Sequence, residues 1–359
     1  MTEKEFFKIN IFRLILMLFL TAVIVIIIDP YFHYHKPFSF LAYKLEISNQ
    51  RYVNNGIVKH FDYNAVIIGT SMTENFKSTQ FNKLFNTNSI KIPFSGGSYK
   101  EINDNVERAL KKNKKIKYIL RGLDYGKINE EFNEMPYDSY PEYLYDYNVF
   151  NDYKYWWNKE ILIKGVARNL IYTVLKKETT SFDEYSNWDN LFDPGKEKVL
   201  KSYKRRKKEK KEKILTQEDI NRIDKNIEEN VIKLPKQYPN VKFIYFITPY
   251  SIIYWDELNQ KGEIEKQIMA EKYMIEKILK ISNIELYSFF DNYEMITNLD
   301  NYKDAGHYMG HINDQILVWI KNKEYRITKE NYNEYINKNL EFYEKYDYNK
   351  IFEESTESL

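Results

Sequence analysis

Five short apolar runs, alternating with stretches of helical periodicity, constrain this chain more than any other feature. The first covers residues 65–69; 89–94 reads SIKIPF, 117–123 KYILRGL, 241–248 VKFIYFIT and 284–290 IELYSFF. Between them apolar residues recur at helical spacing. Tyr99, Ile102, Val106, Ala109 and Leu110 follow the second run, and Ile220, Ile223, Ile227, Val231 and Leu234 precede the fourth. Ile264, Ile268, Ile275 and Ile278 follow the fourth run, and Ile312, Ile316, Leu317 and Ile320 follow the fifth. A face of that period is helical, while a short continuous apolar run fits a strand covered on both sides. The pattern predicts an α/β fold: a three-layer α/β/α sandwich around a five-stranded parallel sheet.

The N-terminus sets a second constraint. Residues 14–28 read LILMLFLTAVIVIII, apolar except for Thr21. At a rise of about 1.5 Å per residue, fifteen to twenty such residues span about 23–30 Å, enough for a bilayer core. Lys4, Lys8 and Arg13 precede the run, which favours a cytoplasmic N-terminus and an extracytoplasmic remainder. A secretory signal is the rival reading, but no small-x-small cleavage site stands before Asp29-Pro30, so an uncleaved single-pass anchor in the cell membrane is expected. The expected layout is a short cytoplasmic N-terminus (1–13), the anchor (14–28), a membrane-proximal linker (29–61), the α/β domain (62–322) with an insertion at about 127–217, and a charged helical tail (323–359).

The insertion carries an aromatic part, MPYDSYPEYLYDYNVFNDYKYWW, which either lines a binding cleft or packs as a cap. It also carries a basic run at 204–213, KRRKKEKKEK. That run is expected as a solvated helix face, with attraction to anionic lipid or an acidic polymer as the sharper alternative. A net charge of +2 gives no argument for nucleic acid, and the absence of cysteine excludes disulfides, a thiol nucleophile and thiolate zinc sites.

In open α/β sheets, ligands bind where loops leave the carboxyl ends of the strands. The first run ends in Gly69-Thr70-Ser71, the second in Phe94-Ser95-Gly96-Gly97-Ser98, the third in Arg121-Gly122-Leu123-Asp124-Tyr125 and the fourth in Thr248-Pro249-Tyr250-Ser251. Beyond the fifth lies NLDNYKDAGHYMGH, with Asp304 and His307 three apart. A serine hydroxyl needs a base to take its proton, a carboxylate to orient the base, and N–H donors for the developing oxyanion. Ser71, His307 and Asp304 are the residue types for the first three roles. Gly96 and Gly97 would let backbone N–H groups approach a substrate. The plainer alternatives are a capping box at Ser71-Met72-Thr73-Glu74, a turn at Gly96-Gly97, a salt bridge between Arg121 and Asp124, simple packing of Tyr250, and a metal pair of His307 with His311 four residues on.

Taken in chain order, these pieces resemble the SGNH (GDSL-like) hydrolase superfamily, in particular its membrane-anchored bacterial branch associated with cell-envelope polysaccharide. The matching stretches are GTSMTENF, PFSGGSYKEIND and DAGHY, within residues 62–322. The resemblance implies an SGNH/flavodoxin-like fold with Ser71 as nucleophile, His307 as base and Asp304 as its carboxylate. Gly96, Gly97, Ser98, Arg121, Asp124 and Tyr250 become oxyanion or substrate-binding candidates. One position departs: the family's third block holds an asparagine amide where this chain has Asp124. The implied activity is that of a serine esterase or O-acyltransferase on acyl esters, acetyl first, of a cell-surface polysaccharide or envelope polymer. No cofactor or metal is implied, and a membrane acyltransferase is a candidate partner. The alternatives are a catalytically silent glycan-binding or scaffold protein, and a flavodoxin-like ligand binder using GTSMT as a phosphate loop.

Overall fold

Six strands form one sheet in the order β2-β1-β3-β4-β5-β6: β1 (Ala65–Ile68), β2 (Ser89–Lys91), β3 (Tyr118–Leu123), β4 (Lys242–Ile247), β5 (Ile284–Ser288) and β6 (Arg326–Ile327). This is a computed structural model, and it describes residues 1–136, 140–146 and 148–353. Residues 354–359 lie outside the described residues, as do Tyr137, Asp138, Ser139 and Tyr147 of the aromatic stretch. The first five strands pair in parallel, and every residue of β1 is buried. That is why these strands read as continuous apolar runs and not as alternating ones.

The expectation of a five-stranded, purely parallel sheet is corrected by β6, which runs antiparallel to β5 with Leu286 opposite Ile327 and Tyr287 opposite Arg326. The helix Gly310–Asn322 ends in a left-handed Lys323, Tyr325 is also left-handed, and the chain reverses there onto the sheet edge. Two residues are too few to display a strand period, so this edge is silent in the sequence. The segment expected as a helical tail therefore starts with a strand. Its helix Tyr332–Lys345 buries Tyr335, Ile336 and Tyr343 and packs on the helix Ile264–Ile278.

The chain divides into two compact units, Met1–Asp62 with Tyr137–Tyr185, and Tyr63–Pro136 with Ser186–Leu359. The second contains the sheet. In the first, one helix, Glu3–Ile28, is long and apolar enough to cross a membrane. It opens with a capping box between Thr2 and Glu5 and stops at a left-handed Asp29. The buried Asp29 carboxylate accepts the backbone N–H groups of His33, Tyr34 and His35 and the Tyr155 hydroxyl. Residues 29–61, expected as a linker, contain the helix Gln50–His60. The backbone N–H groups of Ala42, Tyr43, Lys44 and Leu45 donate to side chains of Thr173, Thr179, Asn169 and Thr180. This stretch is thus half of a unit whose other half lies more than a hundred residues on, which local composition does not reveal.

The basic run is not a helix face. Residues 203–209 are irregular and lie along the helix Ile252–Lys261. Arg205 grips the fully buried Asp256 carboxylate, at 2.9 Å from Nη2 to Oδ1, and Lys213 pairs with Glu263 at 3.1 Å. Backbone N–H groups of Glu209 and Lys213 donate to the Gln260 and Gly262 carbonyls. Like charges crowded on one helix face repel one another, whereas an extended strap sets them beside acidic partners.

Candidate active site

The serine turn is shaped by two glycines. β1 ends at Ile68, and Ser71–Thr73 forms a single 3-10 turn before the helix Ser78–Phe85. A Cβ on Gly69 would lie 2.5 Å from the Thr73 methyl, and one on Gly122 of β3 would lie 2.8 Å from it. Without those carbons Thr73 seats between two strand ends, and the turn lies flat on the sheet. The capping box, the plainer alternative at Ser71, is not what forms. Thr70 caps the turn, its Oγ1 accepting the Met72 N–H at 3.4 Å and donating to Asp124 at 2.7 Å. Ser71 Oγ is left for another partner.

That partner is His307, with Ser71 Oγ 2.8 Å from its Nε2. On the other side of the ring, Nδ1 lies 2.9 Å from both carboxylate oxygens of Asp304. Asp304 Oδ1 also accepts the backbone N–H groups of Gly306 and His307, at 3.0 and 2.8 Å. Partial burial works to raise the Asp304 pKa, but the His307 hydrogen bond and charge and the two backbone donors prevail, holding it at about 2. An ionised carboxylate only accepts, so the ring proton sits on Nδ1, and Nε2 presents its lone pair to the serine hydroxyl.

Several bonds fix this relay. The Tyr308 hydroxyl and Asn313 amide both donate to the Met72 carbonyl, at 2.9 and 3.1 Å, tying the histidine loop to the serine turn. Ser251, just past β4, donates its N–H and hydroxyl to the Ala305 carbonyl at 3.1 and 2.7 Å. Trp188 covers the relay edge-on, its ring 5.8 Å from that of His307, and its indole N–H donates to the Ser71 carbonyl at 3.4 Å. Its backbone N–H donates to Asn75 at 3.0 Å, and the Lys303 ammonium lies 4.6 Å from its ring centre. None of these roles has a sequence signature. Trp188 lies in the insertion, and only the adjacency of Tyr308 to His307 could have drawn attention to it.

The remaining candidates separate. The chains of β1 and β2 run side by side as far as a bond from the Phe94 N–H to the Gly69 carbonyl, 2.8 Å long. Two residues further on, Gly96 takes a left-handed conformation with φ of 65°. Gly97 spends its N–H on the Phe94 carbonyl at 2.8 Å, so it is a turn residue and not an oxyanion donor. Ser98 is the N-cap of the helix Tyr99–Lys112 and donates its hydroxyl to the Glu134 carbonyl. Among the described residues, the N–H groups of Ser71 and Gly96 make no hydrogen bond and are free to donate.

Arg121 is not at the rim. It lies within β3, fully buried, donating to the Asn230 and Tyr99 carbonyls at 2.6 and 3.3 Å between the rings of Tyr99 and Tyr245. The expected Arg121–Asp124 salt bridge fails because residues three apart on an extended chain point to opposite faces. Asp124 does reach the site's floor. Its Oδ2 accepts from Thr70, and its Oδ1 accepts from the Tyr250 hydroxyl, so both oxygens are acceptors and no donor replaces an amide. Burial pushes its carboxyl above the ordinary range, opposed by Thr70 and Lys127. Tyr250 thus serves Asp124, with its ring against Gly306. His311 lies on the exposed side of the helix Gly310–Asn322 and meets Asn301 at 3.1 Å. Compared with known protein families, with curated proteins and with solved structures, the chain matches none.

Proposed function

We propose that the protein is a membrane-anchored serine esterase or O-acyltransferase of SGNH type. In this reading the sheet and its flanking helices form a three-layer α/β/α domain that faces the extracytoplasmic side, with residues 14–28 in the bilayer. One observation carries the reading: the continuous relay from Ser71 Oγ to His307 Nε2, and from His307 Nδ1 to Asp304.

Ser71 Oγ attacks an ester carbonyl while His307 Nε2 takes its proton, and Asp304 stabilises the imidazolium that forms. The oxyanion develops toward the N–H groups of Ser71 and Gly96. His307 then returns the proton to the leaving alkoxide, which leaves an acyl-Ser71. Water or a sugar hydroxyl, deprotonated by the same nitrogen, releases the acyl group. With Asp124 in place of an amide the hole has backbone donors alone. One side-chain donor is worth about 10²–10³ in rate, so slow hydrolysis, or transfer to a dedicated acceptor, fits this site better than fast esterolysis. The proposed substrate is an acylated cell-surface polysaccharide or envelope polymer.

The Asp124 arrangement also favours a second reading, a catalytically silent domain that binds glycan or scaffolds an envelope assembly. Labelling the full-length protein with a fluorophosphonate separates the two. The esterase reading requires labelling of the wild type and its loss in Ser71→Ala. An unlabelled wild type, or an equally labelled variant, leaves the silent reading. Acetylated glycans then distinguish hydrolysis from transfer.

A further inference from the structure

The apolar helix Glu3–Ile28 is not the sole surface of its unit that water would leave bare. A helical tract follows in the insertion, a π-helix Ile161–Ala167 running into an α-helix Arg168–Val174. Its inner side buries Ile161, Gly165, Val166 and Asn169. Its outer side exposes Ile163, Ile171 and Val174, the last 80% exposed, and Phe150 just upstream is 89% exposed. Apart from the exposed Lys164–Glu160 ion pair, exposed apolar side chains clustered in this way mark an interaction site.

What covers that surface follows from what it is attached to. The indole N–H of Trp157 donates to the Leu18 carbonyl at 3.0 Å, midway along the apolar helix. A Cβ on Gly165 would lie 2.8 Å from Pro30, so the tract abuts the chain where that helix ends. The helix buries only Ala22, Val25 and Ile28, a single stripe over its last two turns. Leu18 and Ile28 are about 15 Å apart along the axis, half of a bilayer core of about 30 Å. Elements that touch the helix from its midpoint to its end share its solvent. Charge agrees: residues 149–177 hold six Lys or Arg against two acids, and with Lys164 paired to Glu160 and Arg168 to Glu46 the other four are Lys154, Lys159, Lys176 and Lys177. Long cationic side chains reach headgroup phosphates while their stems stay in the apolar layer.

We propose that residues 149–175 are inserted in the leaflet around the C-terminal half of the apolar helix, with lipid acyl chains as the partner of their exposed face. The protein is then held by a helix and a wedge. This rests on the reading of residues 14–28 as a membrane anchor.

The cysteine-free chain allows a direct test. Single substitutions Phe150→Cys, Val174→Cys, Ile24→Cys and Lys207→Cys each carry an environment-sensitive fluorophore. The full-length protein is held in nanodiscs of phosphatidylcholine and phosphatidylglycerol with brominated acyl chains. Phe150→Cys and Val174→Cys should be blue-shifted and quenched to an extent comparable with Ile24→Cys, while Lys207→Cys stays unquenched. If Ile24→Cys is quenched and either insertion site is not, the wedge is refuted and the anchor stands. An unquenched Ile24→Cys refutes the anchor itself. Shielding that appears only as chains per disc increase identifies a contact between copies, and likewise refutes the proposal.

Discussion

Asp304→Asn tests the relay at its weakest joint. The carboxylate receives two backbone donors on Oδ1, and the His307 ring nitrogen Nδ1 lies 2.9 Å from both Oδ1 and Oδ2. An amide oxygen can keep the backbone pair, but the NH2 group then faces Nδ1, and two donors cannot meet. The ring must move its proton to Nε2, which removes the lone pair that accepts from Ser71. The wrong tautomer costs about 10⁴ in rate in a serine triad, or about 5 kcal/mol of transition-state stabilisation. Stability responds less. The carboxyl sits at about 2 in the fold against 3.8 normally. Such a depression is worth about 2 kcal/mol, cut to about 1–2 because the group is nearly one-third exposed. A depressed carboxylate contributes above its unfolded pKa and loses the contribution as pH falls through its folded value, so the contribution is present at neutral pH and fades below about 4. The variant should therefore stay folded at pH 7, its melting temperature lowered by a few degrees at most. Its second-order rate of fluorophosphonate labelling should fall by about 10³–10⁴. Labelling within tenfold of wild type in a folded variant would refute the relay.

Two further predictions concern what holds the site. In Gly122→Ala the new Cβ would sit 2.8 Å from Thr73 and 3.2 Å from Phe246. Overpacking of that kind costs about 1–3 kcal/mol, and a displaced serine turn should lower labelling by about 10²-fold; unchanged labelling would mean Thr73 does not position Ser71. Glu271 is wholly buried beneath the sheet's C-terminal rim, and burial pushes its carboxyl up to about 7 although the Tyr335 and Tyr125 hydroxyls donate to it at 2.7 and 2.9 Å. Between its unfolded value of 4.5 and about 7 the native state holds the proton and the unfolded chain does not, so stability falls as pH rises, by about 3 kcal/mol across the window. Denaturant unfolding of Glu271→Gln should lack that part of the slope, and an identical pH profile would contradict the raised carboxyl.

The sequence by itself determined whatever is written in local periodicity. Continuous apolar runs fixed the five parallel strands, because a strand covered on both faces has no polar side to display. Fifteen residues with one hydroxyl fixed the apolar helix. Spacing brought Asp304 within reach of His307, since three residues span one turn of chain. Tertiary structure alone decided the rest. Whether Ser71 caps a turn or faces a base depended on Thr70 taking the cap and on a loop 236 residues away, anchored through the Met72 carbonyl. Arg121 and Asp124 parted because pleating sends them to opposite faces. Trp188, β6 and the pairing of residues 29–61 with the insertion left no local trace. Contacts between distant segments are set by shape and by hydrogen bonds that a period cannot encode.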